Sequence, residues 1–377
     1  MRTKLRIGAV GLGAVAQAVH LPLIQRRWDL FELVAVADLS ASQSAHVGRQ
    51  FGVSPEHRYE TLSDMLNAEA LDGVLLLTSG SHGSSALECI QRGVAVFCEK
   101  PLAFSLREID ALSDAERKAG TPLLFLAYMK EYDPAVSRLK RRLPNASEIR
   151  YVNVEVLHPS SVSQLAYANL RAPVDDIDPA TLDRLKEADH AVTTTALGKS
   201  TPQAFRNIYS HVILGSLIHD ISLVRYLFGS ITGIDDVRTW AGGEDPGSIE
   251  ISGTVSDQAR IHMHWHYLPN YPRYRETLTI HHTTGSLALE FTVPYLLNEP
   301  TELRIVSSDG LGESNEIVRD VTEAFEEELI AFHAMVVDSV PPSTGSAEGR
   351  ADVITGQCIA RVLALRQGII LGGESAQ

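Results

Sequence analysis

An α/β unit on a doubly wound parallel sheet, followed by an α+β unit with an open, mostly antiparallel sheet, is the architecture that this sequence predicts. Three observations predict it. Short apolar runs alternate with helix-length stretches over residues 1–130, and a glycine-rich turn separates the first run from the first helix. From Arg150 onward the pattern changes to segments in which apolar and polar residues alternate, as in strands with one covered face. A chain of 377 residues suits two domains better than one core. The boundary is expected near 130, dividing 1–130 from 131–377.

Leu5–Val10 reads as a short buried strand that runs directly into Gly11-x-Gly13-x-x-Ala16 and a helix. A dinucleotide-binding turn needs that order: one glycine for the bend, one for close approach of a pyrophosphate, and a small third residue for helix packing. The free N–H groups at the new helix, through Gly13, Ala14, Val15 and Ala16, would face the phosphates, where the helix dipole favours negative charge. Glu32–Ala37 is a second apolar strand, closed by Asp38, whose carboxylate can accept from both adenosine ribose hydroxyls. The expected fold is therefore a Rossmann unit and the expected cofactor NAD.

Helices at Ser40–Gln50 and Thr61–Asn67 flank a short strand at Arg58-Tyr59. The run Gly73–Thr78 has the continuous apolar character of a parallel strand covered on both faces. A loop, Ser79-Gly80-Ser81-His82-Gly83, leads to a helix ending near Arg92 and a strand at Val94–Cys98. Ligands of such sheets sit beyond the carboxyl ends of the strands, which directs attention to Asp38, the Thr78–Gly83 loop and Glu99-Lys100-Pro101. Lys100 is one of seven lysines, and Pro101 stiffens the chain after it. Apolar walls and a cationic nicotinamide would lower its pKa and suit it to proton transfer; by position alone it could equally be a surface lysine. His82 fits either a hydrogen-bonding loop residue or a ligand contact.

Gly11-x-Gly13-x-x-Ala16, Asp38, Thr78-x-x-x-His82 and above all Glu99-Lys100-Pro101 resemble the glucose–fructose oxidoreductase, inositol dehydrogenase and rhizopine-catabolism (Gfo/Idh/MocA) family. Tyr128-Met129-Lys130-Glu131-Tyr132-Asp133-Pro134 resembles its domain-junction segment. The resemblance extends over nearly the whole chain. It implies that Lys100 is catalytic, that Thr78, Ser79, Gly80, His82, Glu99 and Lys100 join the glycine turn and Asp38 around NAD, and that Tyr128 and Lys130 face a sugar or polyol substrate.

In the second half, Tyr151–His158 alternates as a strand, and a long excursion runs from Pro159 to Arg206. Its acidic patch, Asp175, Asp176 and Asp178, reads as a helix start rather than a metal site: Asp178 is an N-cap and Pro179 the first helical residue, opening Ala180–Ala188. Asn207–Phe228 reads as one helix with His211, Gly215 and His219 on one face. The resemblance implies that this face meets substrate and that His219 is a second catalytic group. The family places an aspartate four residues before that histidine; here the position is Gly215. A helix-interior glycine is costly, so the sequence suggests that Gly215 leaves room over the nicotinamide.

Segments at Ile231–Ala241, Ser248–Val255, Ala259–Tyr267, Glu276–His282, Ser286–Phe291 and Glu302–Val306 alternate, with hairpin turns at Ser256-Asp257 and Thr284-Gly285. His262, His264 and His266 share one strand face. With no third ligand near them in sequence, they read as a solvated or subunit-pairing surface, not as zinc ligands. Helices at Thr322–Val337 and Ala351–Arg366 close the chain, joined by the link Pro341–Gly349.

Hydrophobic residues make up 44% and charged residues 21%, as in a soluble globular protein, and the net charge of −14 disfavours nucleic acid and anionic membrane. Three cysteines without a CxxC pair fit a reducing cytoplasm. Ile7–Ile24 lacks Asp, Glu, Lys and Arg, but its glycines, Gln17, His20 and Pro22 argue against a membrane span or signal segment. The expected activity is NAD(H)-dependent hydride transfer at a secondary alcohol or ketone of a sugar or polyol, in a homo-oligomer (dimer or tetramer) paired through the second sheet. The alternatives are redox-neutral elimination or glycoside cleavage using bound NAD, and a non-catalytic NAD-binding regulator.

Overall fold

The computed structural model describes residues 3–171, 175–241, 245–256 and 259–376. In chain order the first elements are β1 (Leu5–Val10), a π-helical stretch Ala16–His20 continuing as α1 (Leu21–Arg26), β2 (Phe31–Ala37) and α2 (Ala41–Gln50). Next come β3 (Arg58–Tyr59), α3 (Leu62–Ala68), β4 (Gly73–Leu76), α4 (Gly83–Gln91), β5 (Ala95–Glu99), α5 (Leu106–Ala119) and β6 (Leu124–Ala127). There follow α6 (Pro134–Arg142), β7 (Ile149–His158), α7 (Ser161–Leu165), α8 (Pro179–Leu197) and α9 (Gln203–Asn207). A second π-helical stretch, Ile208–Leu217, leads into α10 (Ile218–Phe228). The strands β8 (Gly233–Trp240), β9 (Ser248–Val255), β10 (Ala259–Tyr267), β11 (Arg275–His282), β12 (Gly285–Phe291), β13 (Glu302–Ser308) and β14 (Glu313–Arg319) precede α11 (Ala324–Asp338) and α12 (Ser346–Gln367).

Two compact units result. The first comprises Met1–Tyr128, Ala168–Lys199 and Glu328–Val353; the second Met129–Tyr167, Ser200–Glu327 and Ile354–Gln377. The chain first passes from one unit to the other at Tyr128/Met129. The middle of the long excursion, however, folds with the first unit. Its helix runs on to Leu197, well past Ala188. Asp178 caps it as read from sequence, accepting from the Thr181 N–H at 3.2 Å.

The first unit is a six-stranded sheet in the order β3-β2-β1-β4-β5-β6, with every neighbouring pair parallel. β4, β5 and β6 are buried throughout, which explains their unbroken apolar sequences. Phe97 stacks on Phe125 with centroids 5.4 Å apart, and Phe332 packs edge-on to both. Strand order reverses at β1/β4, the place where such sheets open a crevice for ligands.

The second unit is an eight-stranded sheet, β14-β13-β12-β11-β7-β10-β9-β8, antiparallel except between β7 and β10. In β10 the alternation is exact in burial: Ile261, Met263 and Trp265 are interior, while His262, His264 and His266 are only partly covered. Of the expected Ser256-Asp257 turn, Ser256 takes a positive φ of 52°; Asp257 lies outside the described residues. The apolar helix Gln203–Phe228 is long enough to cross a membrane by length and composition, but 61% of its apolar window is buried inside the protein.

Candidate functional site

The turn after β1 is built as its glycines require. Gly11 has φ +84°, and a Cβ there would lie 2.8 Å from the Thr78 N at the end of β4. Only glycine satisfies both demands. Gly13 differs: a Cβ on it would meet nothing within 4 Å, so its backbone faces open space. Ala16 is fully buried against the sheet. The Gln17 and Gln43 amides both donate to the Leu12 carbonyl at 2.8 Å and fix the turn from two sides. Asp38 closes β2 and accepts from the N–H of Leu12 at 2.8 Å and of Ser40 at 2.9 Å. Each carboxylate oxygen keeps acceptor capacity for a ribose hydroxyl. An open Gly13 cradle beside an oriented carboxylate fits the adenosine diphosphate part of NAD.

At the ends of β4 and β5 the structure separates accessible residues from those that hold the scaffold. Thr78 and Ser79 are exposed. His82 is 1% exposed, with Nδ1 2.7 Å from the Pro101 carbonyl oxygen and Nε2 2.9 Å from that of Thr78. Burial draws its pKa down, although both carbonyls favour a proton. His82 thus joins the two loops instead of offering a free ring nitrogen, which decides between its two readings. Glu99 is similarly internal. Its carboxylate meets His20 Nε2 at 2.8 Å and accepts from the Lys100 N–H at 3.1 Å. Burial pushes the Glu99 carboxyl up, but the hydrogen bond and charge of His20, with Lys100 beside it, hold it below its ordinary value. The polar atoms of His82 and Glu99 thus engage the protein's own groups and brace the strand ends. Lys100 follows them, half-buried, with its backbone fixed on both sides.

In the second unit, His211 is exposed and Gly215 and His219 are half-buried, whereas Val212, Ile213, Leu214, Leu217 and Ile218 are interior. The three expected residues therefore do share the less covered side of the helix. The helix is π-helical from Ile208 to Leu217, which periodicity did not reveal. That geometry changes the account of Gly215. A Cβ there would sit 3.0 Å from the carbonyl oxygen of Ser210, five residues earlier. The glycine has a local reason, and the ligand-room argument loses its premise. Gly→Ala in an ordinary helix interior stabilises by roughly 0.5–1 kcal/mol. At Gly215 the expected sign is opposite, a loss of about 1 kcal/mol from overpacking. Urea denaturation checks it, and a more stable Gly215→Ala variant would show that the carbonyl yields freely.

Lys130 departs most from expectation. It is 4% exposed, and its ammonium lies 3.0 Å from Asp220 Oδ1, contacts Glu276 Oε1, and sits 4.8 Å from the Phe291 ring centre. Tyr274 donates to the other Glu276 oxygen at 2.7 Å. Burial and the charge of Glu276 push the Asp220 carboxyl well above its ordinary value despite Lys130. Glu276 lies below its own value because Lys130 and hydrogen bonds from Asp220 and Tyr274 outweigh its burial. Lys130 thus lies between two buried carboxyl groups whose proton affinities are driven in opposite directions. Lys130 is an interior counter-ion, which corrects its expected role as a substrate contact. Tyr128, 2% exposed in the first unit, is equally interior. Sequence reasoning missed Asp220, Glu276 and Tyr274 because 146 residues separate Lys130 from Glu276. His20 and Gln17 were visible as polar interruptions in the apolar run. Among the described residues, no group of three or more His, Cys, Asp or Glu is placed to hold a metal.

Residues 5–127 match the family described as "Oxidoreductase family, NAD-binding Rossmann fold" (GFO_IDH_MocA). The chain is similar to an inositol 2-dehydrogenase of Klebsiella pneumoniae, 33% identical over 138 residues, which are 36% of this chain and 40% of that protein. It is also similar to the scyllo-inositol 2-dehydrogenase (NAD(+)) of Bacillus subtilis, 30% identical over 152 residues, 40% of this chain and 42% of that one. The chain thus spans about two fifths of the length of the curated relatives it matches. Among solved structures, the fold is shared with myo-inositol 2-dehydrogenase of Lactobacillus plantarum (TM-score 0.69, 17% identity, covering 97% and 98% of the two chains). It is shared equally with UDP-N-acetylglucosamine 3-dehydrogenase of Acidithiobacillus ferrooxidans (TM-score 0.69, 18% identity, covering 96% and 99%).

Proposed function

We propose, from the match of residues 5–127 to the NAD-binding Rossmann unit of the Gfo/Idh/MocA oxidoreductases, that the protein is an NAD(H)-dependent dehydrogenase or ketoreductase of a sugar or polyol. The observation that carries the reading is the strand-end set on one edge of the first sheet: the open Gly13 turn, Asp38, and Lys100 fixed after β5. NAD, when bound, supplies the hydride acceptor or donor. The chain does the rest. Backbone N–H groups of Gly13 through Ala16 hold the pyrophosphate, Asp38 takes the ribose diol, and exposed Thr78 and Ser79 line the crevice beyond β4. Lys100 exchanges the proton of the reacting hydroxyl, and His219 is the second acid–base group. His211 and Gly215 share the less covered helix side with His219 and are proposed to border the substrate.

Asp38 should select NAD over NADP. Its charge opposes a 2′-phosphate, and Leu39 and Ser40, which follow it, bring no cation. NADH is expected to bind about tenfold or more tightly than NADPH. Fluorescence titration of both reduced cofactors decides it, and tighter NADPH binding would sink the assignment. A panel of sugars, inositols and nucleotide sugars, followed by NADH absorbance, then tests the activity itself; a panel without any turnover would favour the regulatory alternative.

A second copy of the chain is the proposed partner of the partly covered sheet face carrying His262, His264 and His266. These rings stack at 6.1 and 6.2 Å. A homo-oligomer should appear in sedimentation, and a monomer at assay concentration would exclude it. The cysteines Cys89, Cys98 and Cys358 are all free thiols, which supports the cytoplasm as the site of action.

A further inference from the structure

The excursion returns to the first unit at a chemically specific place. Asp176 Oδ2 accepts from the Ser42 N–H at 3.0 Å, in the first turn of α2. Hydrogen bonds from the Ser40 and Ser42 hydroxyls, with that N–H, pull its carboxyl down to about 2, so it is ionised at neutral pH. Arg171, from the same excursion, donates to the Ser42 carbonyl. On the other side of the turn, Asp38 Oδ1 accepts from the Ser40 N–H at 2.9 Å. Two carboxylates therefore grip the five-residue segment 38–42 from opposite ends.

These are the donors that a phosphate ester on the adenosine ribose would need. It would lie just beyond Asp38, at the start of a ten-residue helix whose N-terminus attracts anions. The Ser42 N–H already serves Asp176, whose charge the Ser40 and Ser42 hydroxyls also favour. We propose that Asp176 is a second determinant of cofactor choice: its carboxylate occupies the place of a 2′-phosphate and, with Asp38, excludes NADP. The inference rests on the dinucleotide reading of the first unit. Its consequence is that replacing Asp38 alone should not convert the protein to NADP, because the phosphate donors stay occupied by an anion.

The test is fluorescence titration of NADH and NADPH against the full chain and its Asp176→Ser, Asp176→Asn, Asp38→Ser and Asp38→Ser/Asp176→Ser variants. Asp176→Ser should improve the NADPH:NADH affinity ratio about tenfold, the scale of a solvent-screened charge contact. Asp176→Asn, which keeps the shape and loses the charge, should move the ratio in the same direction. The double variant should exceed Asp38→Ser by a similar factor, and inorganic phosphate should compete with NADPH only where Asp176 is absent. A latch that merely holds the excursion in place would weaken both cofactors equally. An unchanged ratio in both Asp176 variants, with NADH still bound, overturns the inference alone. Failure of the unaltered protein to bind NADH overturns the dinucleotide reading beneath it.

Discussion

Replacing Lys130 by methionine is expected to destabilise the protein by about 3–5 kcal/mol, the range for removing one partner of a buried ion pair. Lys130, Asp220 and Glu276 are all 4% exposed or less. Without the ammonium, Glu276 must keep an uncompensated interior charge or take up a proton against its hydrogen bonds. The triple variant Lys130→Met, Asp220→Asn, Glu276→Gln should recover most of the loss, since it removes the charges together. Urea denaturation of the three proteins checks this, and a Lys130→Met variant within 1 kcal/mol of the parent would refute the cluster's role. A pH arm separates the two acids. The folded value of Asp220 is raised, so its contribution is full below the ordinary aspartate pKa and is lost as pH rises through the folded value. Glu276 is lowered, so its contribution is present above the ordinary glutamate pKa and is lost as pH falls through the folded value. Asp220→Asn should therefore flatten the decline in stability on the alkaline side.

How far the sequence could be read follows from which interactions are local. The glycine turn, Asp38 and the buried strands were legible because a turn's φ, a strand's period and a helix N-terminus each depend on a few adjacent residues. The Asp178-Pro179 helix start was legible for the same reason. Lys130 was not. Its surroundings come from α10 and β11, and nothing in Tyr128–Pro134 distinguishes a lysine facing a ligand from one facing two carboxylates. Gly215 failed differently: a 3.6-residue period cannot report a π-helical stretch, so the nearby Ser210 carbonyl stayed invisible and the glycine looked gratuitous. The excursion's acidic patch was legible as a helix start, yet the grip of Asp176 on Ser42 spans 134 residues and left no local trace.

Replacing Lys100 by alanine is expected to lower kcat by about 10²–10⁴-fold, the usual share of one acid–base group, with NADH affinity nearly unchanged. The structure supplies the reason for so clean an effect. Lys100 is held through its backbone: its N–H donates to Glu99, whose other oxygen meets buried His20, and the carbonyl of the next residue, Pro101, meets buried His82. Truncating the side chain leaves those three contacts in place, so the loop and the glycine turn should keep their shape. Lys100→Arg should not restore turnover, because a guanidinium does not release a proton at working pH. Glu99→Gln offers the contrast: it perturbs the support while sparing the amine, and should raise KM along with its loss in kcat. Steady-state kinetics on whichever sugar or polyol the panel identifies, with NADH titration alongside, reads all three variants. Full turnover by Lys100→Ala would remove this lysine from the chemistry and leave the strand end as scaffold.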